Sequence, residues 1–209
     1  MVQAAGLPLP YPEVAVIEED SVAEQTFALA ADLPDRPLVL GGCCCSHVGA
    51  VEALAARHGR IGIAWLDAHG DLNTPETSPS GNAWGMPLRM LLDSAAVAAE
   101  DVVLVGARNL DPPEREFIAA SGLRTGADEV GVALDNTEGV YVAFDADAVD
   151  PGELDVFMPE PEGLELAEVE EVFREIAERR PLLGLGFSGL APAETNVAPL
   201  TRLAQALRL

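Results

Sequence analysis

Asp67, His69 and Asp71 stand at alternate positions in Leu66-Asp-Ala-His-Gly-Asp71, directly after the apolar run Ile61 to Trp65. That run is short and bounded by Gly59, which predicts a buried strand. On extended backbone, alternate residues point to one side, so two carboxylates and an imidazole would converge at the strand's end. Such a trio suits a divalent cation. Acidic caps on a helix N-terminus would use the same residues, and this stretch alone does not separate the two readings. A second cluster does. Tyr141-Val-Ala-Phe144 leads into Asp145-Ala-Asp147 and then Ala-Val-Asp150-Pro, with Asp145 and Asp147 again two apart. Ligands of parallel sheets gather beyond the C-terminal strand ends, so all five residues are expected at one edge. Four close carboxylates with one imidazole repel each other unless cations neutralise them, and two divalent ions are the natural solution.

The elements that must position these groups alternate along the chain. Strands are predicted at 37–40, 61–66, 101–106, 140–144 and 182–187. Helices are predicted at 21–31 with Ser21 as N-cap, 46–58 ended by Gly59, 87–99, from Asp111-Pro-Pro-Glu114, 166–179 and 199–207. Residues 1–12 are rich in proline and small residues, and are expected to be irregular. The strands are mostly apolar, which predicts a three-layer α/β/α fold around a mainly parallel sheet, as one domain over residues 1–209.

Composition narrows the function. There are 35 acids against 12 bases, a net charge of −23, and every base is an arginine. The absence of lysine excludes a Schiff-base lysine and a Walker-type phosphate loop. Nucleic acid is not an expected partner, because neutralising phosphates needs basic patches. The cysteines, Cys43, Cys44 and Cys45, are consecutive and odd in number, which makes no disulfide framework and fits a reducing, cytoplasmic compartment. No apolar run approaches a membrane span, so no membrane partner is expected.

The two acidic clusters, with Gly41-Gly42, Asn73-Thr-Pro, Ser80-Gly-Asn82 and Asp150-Pro, resemble the arginase (ureohydrolase) family. The likeness runs from about Pro37 to the C-terminus. It implies hydrolysis of a C–N bond in a small-molecule guanidino, amidine or amide compound, with two divalent ions, manganese foremost. By the resemblance, Asp67 and Asp145 bridge the ions, His69 and Asp147 complete one, and Asp71 serves the other. A hydroxide held between the ions is then the nucleophile, with Asp71 and His69 acting in catalysis. Asn73, Ser80, Asn82 and Asp111 match positions that hold an amino acid's carboxylate and amino groups, a pattern closer to arginase than to agmatinase. Turn and cap chemistry would use the same residues, and a cap is the expected role of Glu114. A homo-oligomer is expected on the same ground.

Four departures from the family pattern stand out. Its metal-binding histidine in Gly-Gly-Asp-His-Ser falls on Cys44, where a thiolate ligand would favour zinc or iron. A buried thiol beside a weak site is the alternative, as is ligation by His47, three positions on. A histidine that shuttles protons is replaced by Trp84, which cannot titrate but can wall the pocket. A glutamate that clamps the guanidinium is replaced by Gly189, which leaves no bidentate partner. Much of the family's N-terminal part is absent, so edge strands are expected to be missing. Together these predict a metal-dependent hydrolase whose substrate is not arginine. The rivals are a non-catalytic family member and a metal-dependent deacylase, whose usual paired histidines fit poorly with three histidines in all.

Overall fold

The computed structural model describes residues 3–209. Six strands form one sheet: β1 (Leu38–Leu40), β2 (Gly62–Leu66), β3 (Val102–Val105), β4 (Arg124–Thr125), β5 (Val140–Asp145) and β6 (Leu182–Ser188). Their order is β1-β6-β5-β2-β3-β4, and every pairing is parallel. β2 and β5 are the central pair, in register from Gly62 with Val140 to Leu66 with Phe144.

Both faces of the sheet are covered, as near-continuous apolar strands require. Alternate strand residues serve opposite layers. Ala64, Leu66, Val142, Phe144, Leu185 and Phe187 pack with α5 (Val130–Leu134), α6 (Leu166–Arg179) and α7 (Val197–Ala206). Ile63, Trp65, Leu104, Tyr141 and Ala143 pack with α2 (Ser46–His58) and α3 (Pro87–Asp93), and with the inner side of α4 (Pro112–Ser121). The outlying helix α1 (Val22–Ala31) lies on α2 and has no fully buried residue; its N-cap Ser21 accepts from Glu24 N at 3.2 Å, as expected. Helix α6 begins with Glu168 accepting from Glu165 N, and its buried Leu166, Val169, Val172, Phe173 and Ile176 form the apolar stripe expected from their spacing.

Beyond shifts of one or two residues, the end of α3 and two short elements differ from expectation. α3 ends at Asp93, because Ala95 adopts φ +57° and turns the chain before Ala99. β4 and α5 were not anticipated, being two and five residues long and too short to show a period. Residues 3–12 contain no helix or strand, as expected, and Met1 and Val2 lie outside the described residues.

A candidate binuclear metal centre

The loops after β1, β2, β3, β5 and β6 converge on one cavity of about 330 Å³. Helices following β2 and β5 go to opposite faces of the sheet, so the crevice opens between these two neighbours. All five predicted acidic-cluster residues line it, together with Cys44, Asn73, Ser80, Asn82, Trp84, Asp111 and Gly189.

The carboxylates form two donor sets. Cys44, Asp67 and Asp71 offer ligand atoms within 4.8 Å of one another, as do Asp67, His69 and Asp147, so Asp67 belongs to both. Asp145 joins through Cys44, whose sulfur lies 3.1 Å from Asp145 Oδ2 and 3.4 Å from Asp67 Oδ2. His69 turns Nδ1 toward Asp147 Oδ2 at 3.1 Å and Asp67 Oδ1 at 3.3 Å, leaving Nε2 to face Glu160 Oε1 at 3.6 Å.

The trio converges by a different route from the alternation expected of a strand. β2 stops at Leu66, and residues 67–71 are irregular, with Asp71 in the left-handed region at φ +53°. Backbone amides fix the individual carboxylates instead. Asp67 Oδ1 accepts from His69 N at 2.7 Å, Asp147 Oδ1 from Ala68 N at 3.0 Å, and Asp145 Oδ1 from Asp147 N at 3.1 Å. The left-handed turn at Asp71 aims a buried carboxylate inward, and its Oδ2 has no hydrogen-bond partner. A buried, unpartnered carboxylate oxygen is costly unless a proton or cation meets it.

The proton affinities agree. Burial, followed by neighbouring negative charge, pushes the Asp145 and Asp147 carboxyls up to about 6 and raises that of Asp71 as well. Burial and then the three aspartates raise the Cys44 thiol. Hydrogen bonds donated to Asp147 and Asp67 lift His69 to about 11. Without a cation, the cluster holds protons to relieve its own repulsion, and divalent ions would displace them.

Behind Cys44 lies a buried polar chain that the sequence did not reveal. Ser188 Oγ donates to Asp145 Oδ2 at 2.9 Å and lies 3.3 Å from the Cys44 sulfur. His47 bridges Ser188 Oγ (Nε2, 3.2 Å) and the Tyr141 hydroxyl (Nδ1, 3.1 Å). Burial lowers the His47 imidazole to about 3, so it is neutral. Both its nitrogens are thereby occupied, and Cys44 is the residue that the chain presents to the donor sets. Gly186 makes room for this: a Cβ there would lie 2.3 Å from His47 Nδ1. Cys43 to Cys45 form the turn into α2, and all three are free thiols.

At the amino-acid-like end, Asn73 gives Nδ2 to Asp111 Oδ2 at 2.9 Å and accepts from Thr77 Oγ1 at 2.9 Å, so its amide braces the loop. Ser80 Oγ accepts from Asn82 N at 3.2 Å. Glu114 is buried and accepts from Asp111 N and Leu72 N at 2.8 and 3.0 Å, which fulfils the cap expectation and ties α4 to the metal loop. Glu160 was also missed; it sits in a proline-flanked strap fixed by Arg108, which donates to the carbonyls of Asp147, Glu160 and Pro161.

The family model described as "Arginase family" matches residues 8–207. The chain belongs to the arginase family. It is 41% identical to an arginase of Staphylococcus aureus (strain COL) over 140 residues, 55% of this chain and 46% of the relative. It thus spans about half the length of such curated relatives. The solved arginase of Bacillus caldovelox superposes with a TM-score of 0.83 at 30% identity, covering 96% of this chain and 82% of the other. A formimidoylglutamase of Bacillus subtilis shares the fold, with a TM-score of 0.75 at 19% identity over 90% and 67% of the two chains. The three-layer parallel fold expected from the sequence is that of this family.

Proposed function

We propose that this arginase-family chain is a metal-dependent hydrolase of a linear C–N bond, of amidine, guanidino or amide type, in a small amino-acid-like compound. The observation that carries the proposal is the pair of donor sets sharing Asp67, with the buried Asp71 Oδ2 of the first set unpartnered. The residues fit two divalent ions. His69, Asp67 and Asp147 form an oxygen-rich set with one imidazole, which suits manganese. Cys44 beside Asp67 and Asp71 makes the second set softer and shifts it toward zinc or iron. Bound there, the ions would lower the pKa of water and stabilise negative charge developing on the substrate.

The chain's own side chains do the rest. Asp67 and Asp147 hold the imidazole of His69 with Nδ1 toward the floor, and Glu160 faces its Nε2, an arrangement that fixes ring orientation. Ser80 and Asn82 line the entrance, where they can orient a polar substrate end. Trp84 stands over the cavity as an apolar wall and offers no proton. Gly189 offers no carboxylate. Its φ of +70° and the 2.1 Å approach of its Cβ position to Asp145 Oδ1 leave no room for a side chain on this backbone. A guanidinium therefore lacks the clamp that the family provides.

The relatives named arginase make arginine the first compound to test. Ammonia and urea release should be measured on manganese- and zinc-loaded protein with arginine, agmatine, and neutral amides and amidines of amino acids. Arginine is expected to turn over at least about a hundredfold more slowly than the preferred compound, for want of the clamp and of a titrating group at Trp84. Urea release from arginine at roughly 10 per second, an ordinary enzymatic rate, would overturn the substrate reading. The loss of both groups also favours a second reading, a metal-binding member without activity; hydrolysis of none of the panel would support it.

A further inference from the structure

Seven large apolar side chains are exposed among the described residues, and three of them, Trp84, Phe157 and Met158, line the cavity above the carboxylates. Scattered exposed apolar residues are ordinary, but aromatic groups gathered at the mouth of a concave site are not. Phe157 is 58% exposed, Met158 52% and Trp84 39%.

The backbone beneath each is fixed. Phe157 N donates to Gly189 O at 2.8 Å, Ala191 N to Asp155 O at 2.9 Å, and Val156 pairs antiparallel with Leu190. Two residues beyond Met158, the Arg108 guanidinium fastens the carbonyls of Glu160 and Pro161. Trp84 lies in a 3-10 turn, Ala83–Gly85, whose Gly85 O accepts from Asn73 N at 3.1 Å. These bonds hold the turns in place and leave the apolar side chains in water, at a free-energy cost that a ligand covering them would relieve.

The polar census decides what that is. Six carboxylates line the cavity, from Asp67, Asp71, Asp111, Glu114, Asp145 and Asp147. No arginine is among the described lining residues, and the Arg108 guanidinium is spent on carbonyls. An anionic group at the rim would find no cation, whereas a flat apolar group would find three apolar surfaces. Gly189, which also lines the cavity, presents only backbone there and holds Phe157 through its carbonyl.

We propose that Trp84, Phe157 and Met158 form a subsite for an aryl group, so that the substrate class is an aryl-bearing amide or amidine. The C–N group would point to the carboxylate floor. This rests on the reading of that floor as a metal centre.

The test is calorimetric titration of manganese-loaded protein with acetohydroxamate and benzohydroxamate. The two share a metal-chelating head and differ only in methyl against phenyl. Benzohydroxamate is expected to bind at least about tenfold more tightly, the scale of an aromatic contact plus the extra area buried. Trp84→Ala and Phe157→Ala should each lower that ratio, and the double variant should bring it near unity without weakening acetohydroxamate. Phe27→Ala, at an exposed phenylalanine outside the cavity, should leave the ratio unchanged. Equal affinity of the unmodified protein for both compounds, or a preference that survives the double variant, overturns the subsite and leaves the metal centre standing. Binding of neither compound overturns both.

Discussion

The carboxylates on the cavity floor leave the ends of β2 and β5, the two central strands, whereas Trp84, Phe157 and Met158 ride on connections that no strand extends into. Both strands are paired on either side, so a change at Asp67 or Asp145 is felt by the sheet and by every other carboxylate. Trp84 and Phe157 meet the fold chiefly through their backbones, and their side chains can change while the turn beneath them stays. The difference fits the expectation from the resemblance, in which the floor residues other than Cys44 keep the family pattern and Trp84 departs from it. On the proposed reading, metal chemistry would originate at the strand ends and substrate choice in the loops.

The widest separation between the regions is expected in metal dependence. A divalent ion at about a hundred times its dissociation constant stabilises the folded state by about 2.7 kcal/mol. For a chain of this size that raises the melting temperature by roughly 5–10 °C. Asp145→Ala should abolish the rise, whereas Trp84→Ala should retain it to within about 2 °C, as an exposed substitution does. Differential scanning calorimetry with and without manganese measures both. A full manganese shift in Asp145→Ala would remove the distinction.

Gly189 sits where floor and rim meet. Gly189→Glu restores the family's carboxylate in sequence, yet its Cβ would collide with Asp145 Oδ1 on left-handed backbone. The variant should lose about 1–3 kcal/mol of stability and part of its metal, and gain no arginine hydrolysis. Urea release by a metal-replete Gly189→Glu protein would show that this backbone adapts and that floor and rim are less separate than described.

A smaller effect, confined to the floor, is the pH response of metal-free protein. Asp145 and Asp147 are raised from 3.8 to about 6, so the folded state holds their protons more firmly than the unfolded chain. Their contribution is fully present below about pH 4 and is lost as pH rises through 6. His69, raised from 6.5 to about 11, acts in the same direction: its contribution is complete below 6.5 and is lost as pH rises toward 11. Metal-free stability should therefore fall between pH 4.5 and 7.5. Metal binding, which needs the deprotonated ligands, should strengthen over the same range. Asp145→Asn combined with Asp147→Asn should flatten the metal-free slope, and thermal melts at stepped pH would reveal an unchanged slope if other acids cause it.

The sheet was legible because its strands are apolar and bounded by glycine or acid, and the floor because its carboxylates follow those strands at short, fixed spacing. Asp71 was assigned correctly to the cavity, but through alternation that the left-handed turn does not follow. Ser188, His47 and Tyr141 meet from three elements, and no local pattern announces a contact across 94 or 141 residues. Glu160 and Phe157 lie in a strap whose course depends on Arg108 and on pairing with residues 189–191, both remote in sequence. For Asn73 the sequence left ligand binding and turn chemistry open, and only the folded loop shows Asp111 and Thr77 within reach of its amide.

Cys44, Asp67, Asp71, His69, Asp145 and Asp147 are proposed to hold two unequal divalent ions. Elemental analysis of protein loaded with manganese and zinc and then dialysed, with anomalous scattering to locate each ion, tests it most directly. The expected result is two ions per chain, the softer one beside Cys44. Cys44→Ser should fall to about one, while Cys43→Ser, outside both donor sets, stays at two. Protein that retains no metal under these conditions, or a Cys44→Ser variant that keeps both ions with unchanged affinity, would contradict it.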